Sequence, residues 1–207
     1  MLFIETIAPR TAQGAVRAMY ERQQAAWGYV PNYAKAFCYR PEVMARWGQL
    51  LAEIKRPMTK RRFELATFAA AIELRNTACA LAHGQALREF FADADLRAIA
   101  EGRTAEGLTA AERAIVDFAR QVARDAAAIS ADDVARLRAH GLGDEEVFDI
   151  AATAAGRAFF TKILDALGVE ADSSFMALEE PFRGPLTVGR AVGMCAVERL
   201  PADAPLS

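Results

Sequence analysis

Lys60-Arg-Arg-Phe-Glu64-Leu-Ala-Thr-Phe-Ala-Ala-Ala-Ile-Glu-Leu-Arg75-Asn76-Thr77-Ala-Cys79-Ala-Leu-Ala-His83-Gly-Gln-Ala-Leu-Arg-Glu-Phe-Phe91 decides how this chain folds. It is rich in alanine, the strongest helix former, and has no run of alternating β-branched residues. Pro57-Met58-Thr59 sets a helix start near Lys60. The run does not read as one helix. Asn76 and Thr77 are both good N-caps, and they follow Leu74-Arg75 in the middle of it. The spacing predicts two helices, 60–75 and 77–91, with a reversal between them.

The same signals recur outward in both directions. Thr11 precedes an amphipathic stretch to about Ala26, closed by Gly28 and Pro31. Asn32 opens a short helix stopped by Pro41, which itself suits the first turn of a helix to about Lys55. Asp93 or Asp95 starts a short helix ending before Gly102. Thr109-Ala-Ala-Glu112 is a capping box ahead of the apolar-periodic Ile115, Phe118, Ala119 and Val122. Ser130-Ala-Asp-Asp133 repeats the device with Asp for Glu, in a helix ending at His140-Gly141. Asp144 opens the last long helix, to Leu167, with Gly168 behind it. About eight or nine helices and no sheet follow, an all-α chain. Phe63-Glu64-Leu65-Ala66 echoes in Phe148-Asp149-Ile150-Ala151, which suggests two related halves.

One helical domain is expected over 1–170 and an extended C-terminal arm over 171–207. Pro181, Gly184, Pro185, Gly189, Gly193, Pro201 and Pro205 break up the arm. Its Phe175, Met176, Phe182, Leu186, Val188 and Val192 are nonetheless apolar, so it is expected to pack on its own body or on a second copy. The 207 residues are 53% hydrophobic and 25% charged, with 25 basic and 27 acidic side chains and a net charge of -2. No basic cluster exceeds three neighbours, which argues against nucleic acid and against a polybasic membrane patch. Charge-free runs fall short of the ~20 apolar residues of a membrane span, and the first residues lack a secretion leader's basic start. Cys38, Cys79 and Cys195 are too scattered for a disulfide framework. A cytoplasmic protein with free thiols is expected.

Chemistry has few addresses, because only two histidines exist. His83 lies four residues after Cys79, so thiol and imidazole share a helical face. With Asn76 as N-cap, Cys79 is the third helical residue, where free N–H groups and the helix dipole favour an anion. Imidazole and dipole together predict a thiol pKa below the free value of ~8.5. The plain alternative is a cysteine that only fills core. Glu64 and His83 would stand ~28 Å apart on one straight helix, but a reversal at 75–77 brings the carboxylate beside the imidazole. A carboxylate there would orient the ring and raise its basicity. Too few ligands converge for a metal, and no glycine-rich phosphate loop is present, so neither metal nor cofactor is expected.

Glu64-(14 residues)-Cys79-x-x-x-His83 resembles the active-site signature of the carboxymuconolactone decarboxylase superfamily, in its alkylhydroperoxidase D-like, peroxidase-related branch. Gly28-Tyr-Val-Pro31-Asn32 and Arg40-Pro41-Glu42 are similar to that family's opening segment. Gly107 to Ala114 and Gly141 to Glu146 resemble its middle helices. Ala166 to Val169 and Leu186 to Arg190 resemble its C-terminal segments. The resemblance implies the family's helical fold, a peroxide-reacting Cys79, a relay of Glu64 and His83, and assembly as a homo-oligomer. The family's first cysteine, which closes a disulfide that a dithiol such as a lipoyl protein reopens, is Asn76 here. Ala78 stands where some relatives have a second histidine, and Ala158, Thr161 and Lys162 stand where relatives often have Asn, Asn and Arg.

Three readings follow. In the first, a one-cysteine peroxidase reduces a hydroperoxide through Cys79, and an external thiol restores it. In the second, Glu64 and His83 transfer protons on a lactone or carbon acid without the cysteine. In the third, the chain is a non-catalytic helical binding module. Asn76, Tyr29 and Asn32 are candidate site-lining residues, and Trp27 and Tyr33 beside them could form a substrate mouth. Cys38 would act as a resolving thiol only within disulfide reach of Cys79, and Cys195 is a bystander unless the arm covers the site. His140 fits a cation at a helix C-terminus.

Overall fold

The computed structural model describes residues 2–201. Ten α-helices run through it: α1 Gly14–Trp27, α2 Asn32–Ala36, α3 Pro41–Lys55, α4 Lys60–Glu73, α5 Thr77–Leu87, α6 Asp93–Ala100, α7 Ala110–Asp125, α8 Ala131–Ala139, α9 Asp144–Ala166 and α10 Glu180–Leu186. Only two isolated β-bridges occur among the described residues, Val30 with Glu198 and Ala171 with Val192. No helix among them is long and apolar enough to cross a membrane.

Helix α4 is the axis of the fold. Every residue from Phe63 to Ile72 is buried, because α5, α7 and α9 all pack against it. Alanines 69, 70 and 71 let those neighbours come close to its backbone. Thr59 caps it, its side chain accepting the Arg62 N–H at 3.3 Å. In its last turn, Glu73 pairs with Arg120 at 3.0 Å and Arg124 at 2.6 Å, fastening α4 to α7. The capping boxes at Thr109 and Ser130 form as their sequences predict.

The chain reverses after α4. Arg75 takes φ 56°, a left-handed conformation that costs a non-glycine residue roughly 1–2 kcal/mol. The C-terminal segment holds this turn in place. Gly189 donates its N–H to Thr77 Oγ1 at 3.0 Å, and Arg75 Nε donates to the Val188 carbonyl at 3.2 Å. A Cβ on Gly189 would lie 1.8 Å from the Arg75 carbonyl oxygen, so only glycine permits the approach. Gly189→Ala is therefore expected to cost about 1–3 kcal/mol, read in thermal denaturation as a Tm lowered by several degrees.

Helix α10 departs from the sequence reading, which placed no helix after residue 170. Pro181 sits in its first turn, where a missing N–H costs nothing, and the carbonyl that Pro185 leaves free on Pro181 accepts Arg97 at 3.3 Å. Phe182 and Leu186 then anchor the segment on the core. A second apolar cluster joins Met19, Tyr20, Phe37, Met44, Phe160 and Leu164 from α1, α3 and α9 and the turn after α2. Cys79 belongs to that cluster, whereas its helix neighbours Ala80 and Leu81 belong to the core around α4. The site lies on this seam.

Candidate active site

A cavity of about 740 Å³ opens between the two clusters, walled by α1, α3, α5, α9 and the segment after α9. Cys79 and His83 line it from α5, Arg157 from α9 and Asp172 from the following segment. The reversal at Arg75 brings the two ends of the quoted run together, and His83 Nδ1 lies 2.6 Å from Glu64 Oε2. Lys55 Nζ stands 4.0 Å from the other carboxylate oxygen.

The charges sort themselves by surroundings. Burial pushes the Glu64 carboxyl up, but His83, Lys55 and Arg157 outweigh it and hold Glu64 below the usual range, ionised at neutral pH. His83 lies below its ordinary value, through burial first and then the Arg157 charge, which together exceed the pull of Glu64. A neutral ring facing a carboxylate carries its proton on Nδ1 and donates it to Glu64. Nε2 is left as the acceptor.

Asn76 is fully enclosed and holds α5 by its start. Its Oδ1 accepts the Cys79 N–H at 3.0 Å, and its Nδ2 donates to Asp165 Oδ1 at 3.1 Å. Cys79 is 5% exposed, and its sulfur accepts Arg157 Nη1 at 3.5 Å. Burial pushes the thiol pKa up, and Arg157 opposes this without reversing it. The expected depression is thus absent. The N–H of Cys79 is taken by the Asn76 side chain, and His83 spends Nδ1 on Glu64, which leaves only Nε2 to serve the thiol. Iodoacetamide should accordingly alkylate Cys79 more slowly at pH 7 than a free thiol, with a rate still climbing above pH 9.

Three candidate residues are corrected in position. Asn76, Tyr29 and Asn32 are not among the residues lining the cavity. Tyr29 turns its hydroxyl to Ser174 Oγ at 2.7 Å. Asn32 donates its backbone N–H to Asp172 Oδ1 at 2.8 Å and its side chain to the Glu170 carbonyl at 3.3 Å. They position the wall instead of forming it. Trp27 and Tyr33 do line the cavity. Cys38 is buried with its sulfur accepting the Ile7 N–H at 3.4 Å, and the exposed Cys195 is likewise a free thiol.

Arg157 is the residue the sequence reading missed. It is 4% exposed, its guanidinium is 5.6 Å from the centroids of both Trp47 and Phe160, and its Nε has no hydrogen-bond partner among the described residues. The signal was available. The buried positions of α9, namely 150, 153, 154, 157, 160, 161 and 164, follow helical spacing, and one of them is an arginine. A cation inside an apolar stripe needs an interior partner. Ala158, Thr161 and Lys162 drew notice instead, but Thr161 bonds back to the Arg157 carbonyl and Lys162 faces outward.

A peroxidase-related protein from Ralstonia eutropha JMP134, described as an alkylhydroperoxidase AhpD core, aligns with TM-score 0.73 over 90% of this chain and 97% of its own, at 21% identity. This chain has the alkylhydroperoxidase D fold. A second peroxidase-related protein with that fold, from Silicibacter sp. TM1040, aligns at TM-score 0.65 and 20% identity, over 84% of this chain and 98% of its own. So does a cysteine-to-alanine variant of the debrominase Bmp8 in complex with 2,3,4-tribromopyrrole, with TM-score 0.67, 17% identity and coverage of 86% and 97%. No family model and no curated protein sequence matches the chain.

Proposed function

We propose that this chain is a thiol-dependent hydroperoxide reductase of the one-cysteine type. The observation that carries the reading is a cysteine lining a large cavity, its sulfur 3.5 Å from a buried arginine, one helical turn from the histidine of a Glu64–His83 pair. His83 Nε2 takes the Cys79 proton, and the thiolate is held by Arg157. The sulfur attacks one peroxide oxygen, forming the S–O bond as the O–O bond breaks. Arg157 stabilises the departing alkoxide, which collects the proton from His83 and leaves as alcohol. Sulfur has given up two electrons and stands as sulfenic acid. Two equivalents of an external thiol return it to thiol, releasing disulfide and water. Glu64 is a positioning residue, keeping the His83 proton on Nδ1. Peroxidase-related proteins of the same fold support this reading.

Stoichiometric cumene hydroperoxide followed by a sulfenic-acid trap and mass spectrometry tests it. Modification of Cys79 is expected, and a Cys79 that stays reduced under excess peroxide would sink the proposal. The proton-transfer reading on a lactone or carbon acid has its own support, because the 2.6 Å Glu64–His83 contact is complete without the thiol. A homo-oligomer is part of the proposal, supported by Leu50 of α3 and Phe148 and Phe159 of α9, large apolar side chains left exposed on adjoining helices. Sedimentation should give a mass above that of one chain, and a monomer would remove this element.

A further inference from the structure

The wall of the cavity is more selective than peroxide itself requires. Trp27, Tyr33, Trp47, Phe160 and Phe175 make it aromatic, and its volume suits an organic molecule of one or two rings. Hydrogen peroxide would leave most of that wall bare. Besides His83, two buried charged side chains interrupt the apolar lining, Arg157 beside Cys79 and Asp172, which is 6% exposed. The mechanism uses Arg157 and has no task for Asp172.

Asp172 has room for a further donor. Its Oδ1 accepts the Asn32 N–H at 2.8 Å and its own backbone N–H also bonds the carboxylate, but no side-chain donor among the described residues reaches it. Lys35, whose charge is felt at Asp172, gives its ammonium to Glu198 at 2.7 Å. The hydroxyl of Tyr33 points away, to Gln23 Oε1 at 2.6 Å, and that of Tyr29 is engaged with Ser174. Holding a carboxylate in an apolar wall is costly, and burial accordingly raises Asp172 to about 6, leaving it mostly ionised at neutral pH. An N–H or O–H on a bound molecule would remove that cost.

We propose that the cavity takes a flat aromatic molecule that presents a hydrogen-bond donor to Asp172 and its reacting group to Cys79 and Arg157. Asp172 is then a specificity residue, rejecting rings that offer it only an acceptor or a methyl. The orientation toward Cys79 rests on the thiol reading above, whereas the donor preference does not. An aromatic substrate with a ring N–H or a phenolic hydroxyl fits both ends.

Binding can be read without turnover. The indole N–H signals of Trp27 and Trp47 report on the cavity wall, and they are the protein's only two tryptophans. Titration of the reduced protein with indole and with 1-methylindole, followed by NMR, is expected to show indole bound about tenfold more tightly, as befits a hydrogen bond to a charged acceptor. Asp172→Asn keeps an oxygen for the Asn32 N–H and replaces the other with an amide donor. In that variant the preference should disappear, and benzofuran, which carries an acceptor in place of the N–H, should gain on indole. Equal affinities for the two indoles in the wild type, or a preference unchanged in Asp172→Asn, would overturn the inference even if Cys79 reacts with peroxide. A donor preference that is lost in the variant upholds it even if Cys79 proves inert, and the thiol chemistry alone then falls.

Discussion

Cys79→Ser should lower hydroperoxide consumption by at least about 10³-fold, the scale on which removal of a covalent nucleophile acts. The substitution changes little else. Serine is slightly smaller, and the Asn76 cap on the backbone N–H of residue 79 does not involve the sulfur. The hydroxyl cannot replace the thiol as a reductant, because oxygen does not form the sulfenic state that receives the two electrons. The Glu64–His83 contact does not involve the sulfur and should survive intact. That is what gives the variant its discriminating power. Peroxide turnover that vanishes with the thiol confirms Cys79 as the reacting group. Activity on a lactone or carbon acid that persists in the serine variant and vanishes in His83→Gln would instead assign the site to proton transfer. His83→Gln in the peroxidase reading should slow turnover less than Cys79→Ser does and should flatten its pH profile, since an acid–base group contributes about 10²–10⁴-fold.

Much of this arrangement was legible in the sequence because local rules and tertiary packing agree there. Asn76 is an N-cap in both, and the break it marks is what folds Glu64 back onto His83. Thr109 and Ser130 begin their helices as their spacing requires. The misreadings have equally local causes. Pro181 and Pro185 were taken as helix breakers, yet a seven-residue helix tolerates one proline in its first turn and another whose orphaned carbonyl finds Arg97. The acidity of Cys79 was judged from its neighbours along α5, whereas it is set by the neighbours across the cavity and by burial. The placing of Asp172 in the cavity wall was out of reach of any sequence rule, since Asn32 meets the carboxylate from 140 positions away. Arg157 was readable in principle, as the lone cation on the buried stripe of α9.

Arg157→Met is expected to slow oxidation of Cys79 by about 10- to 100-fold, the equivalent of the ~1.5–3 kcal/mol assigned to a hydrogen bond with a charged group. Methionine is long and apolar enough to keep the packing against Trp47 and Phe160, so the loss is chiefly one of charge. Two titrations should then move together. Burial already raises the Cys79 thiol, and without the opposing guanidinium it should rise further, leaving less thiolate at pH 7. His83 is lowered in part by the same guanidinium, so its pKa should climb back toward the ordinary histidine value. The first shift is measured by the pH dependence of alkylation and the second by NMR titration of the His83 ring. A residue that merely filled space would move neither. Arg157→Lys, which keeps the charge but loses the planar fork, should restore the His83 titration more fully than the oxidation rate, because a point charge acts at a distance while the contact to sulfur depends on geometry. If both pKa values stay where they are in Arg157→Met, the guanidinium is not the electrostatic partner of the thiol, and the stabilisation of the departing alkoxide must be sought in another donor of the cavity wall.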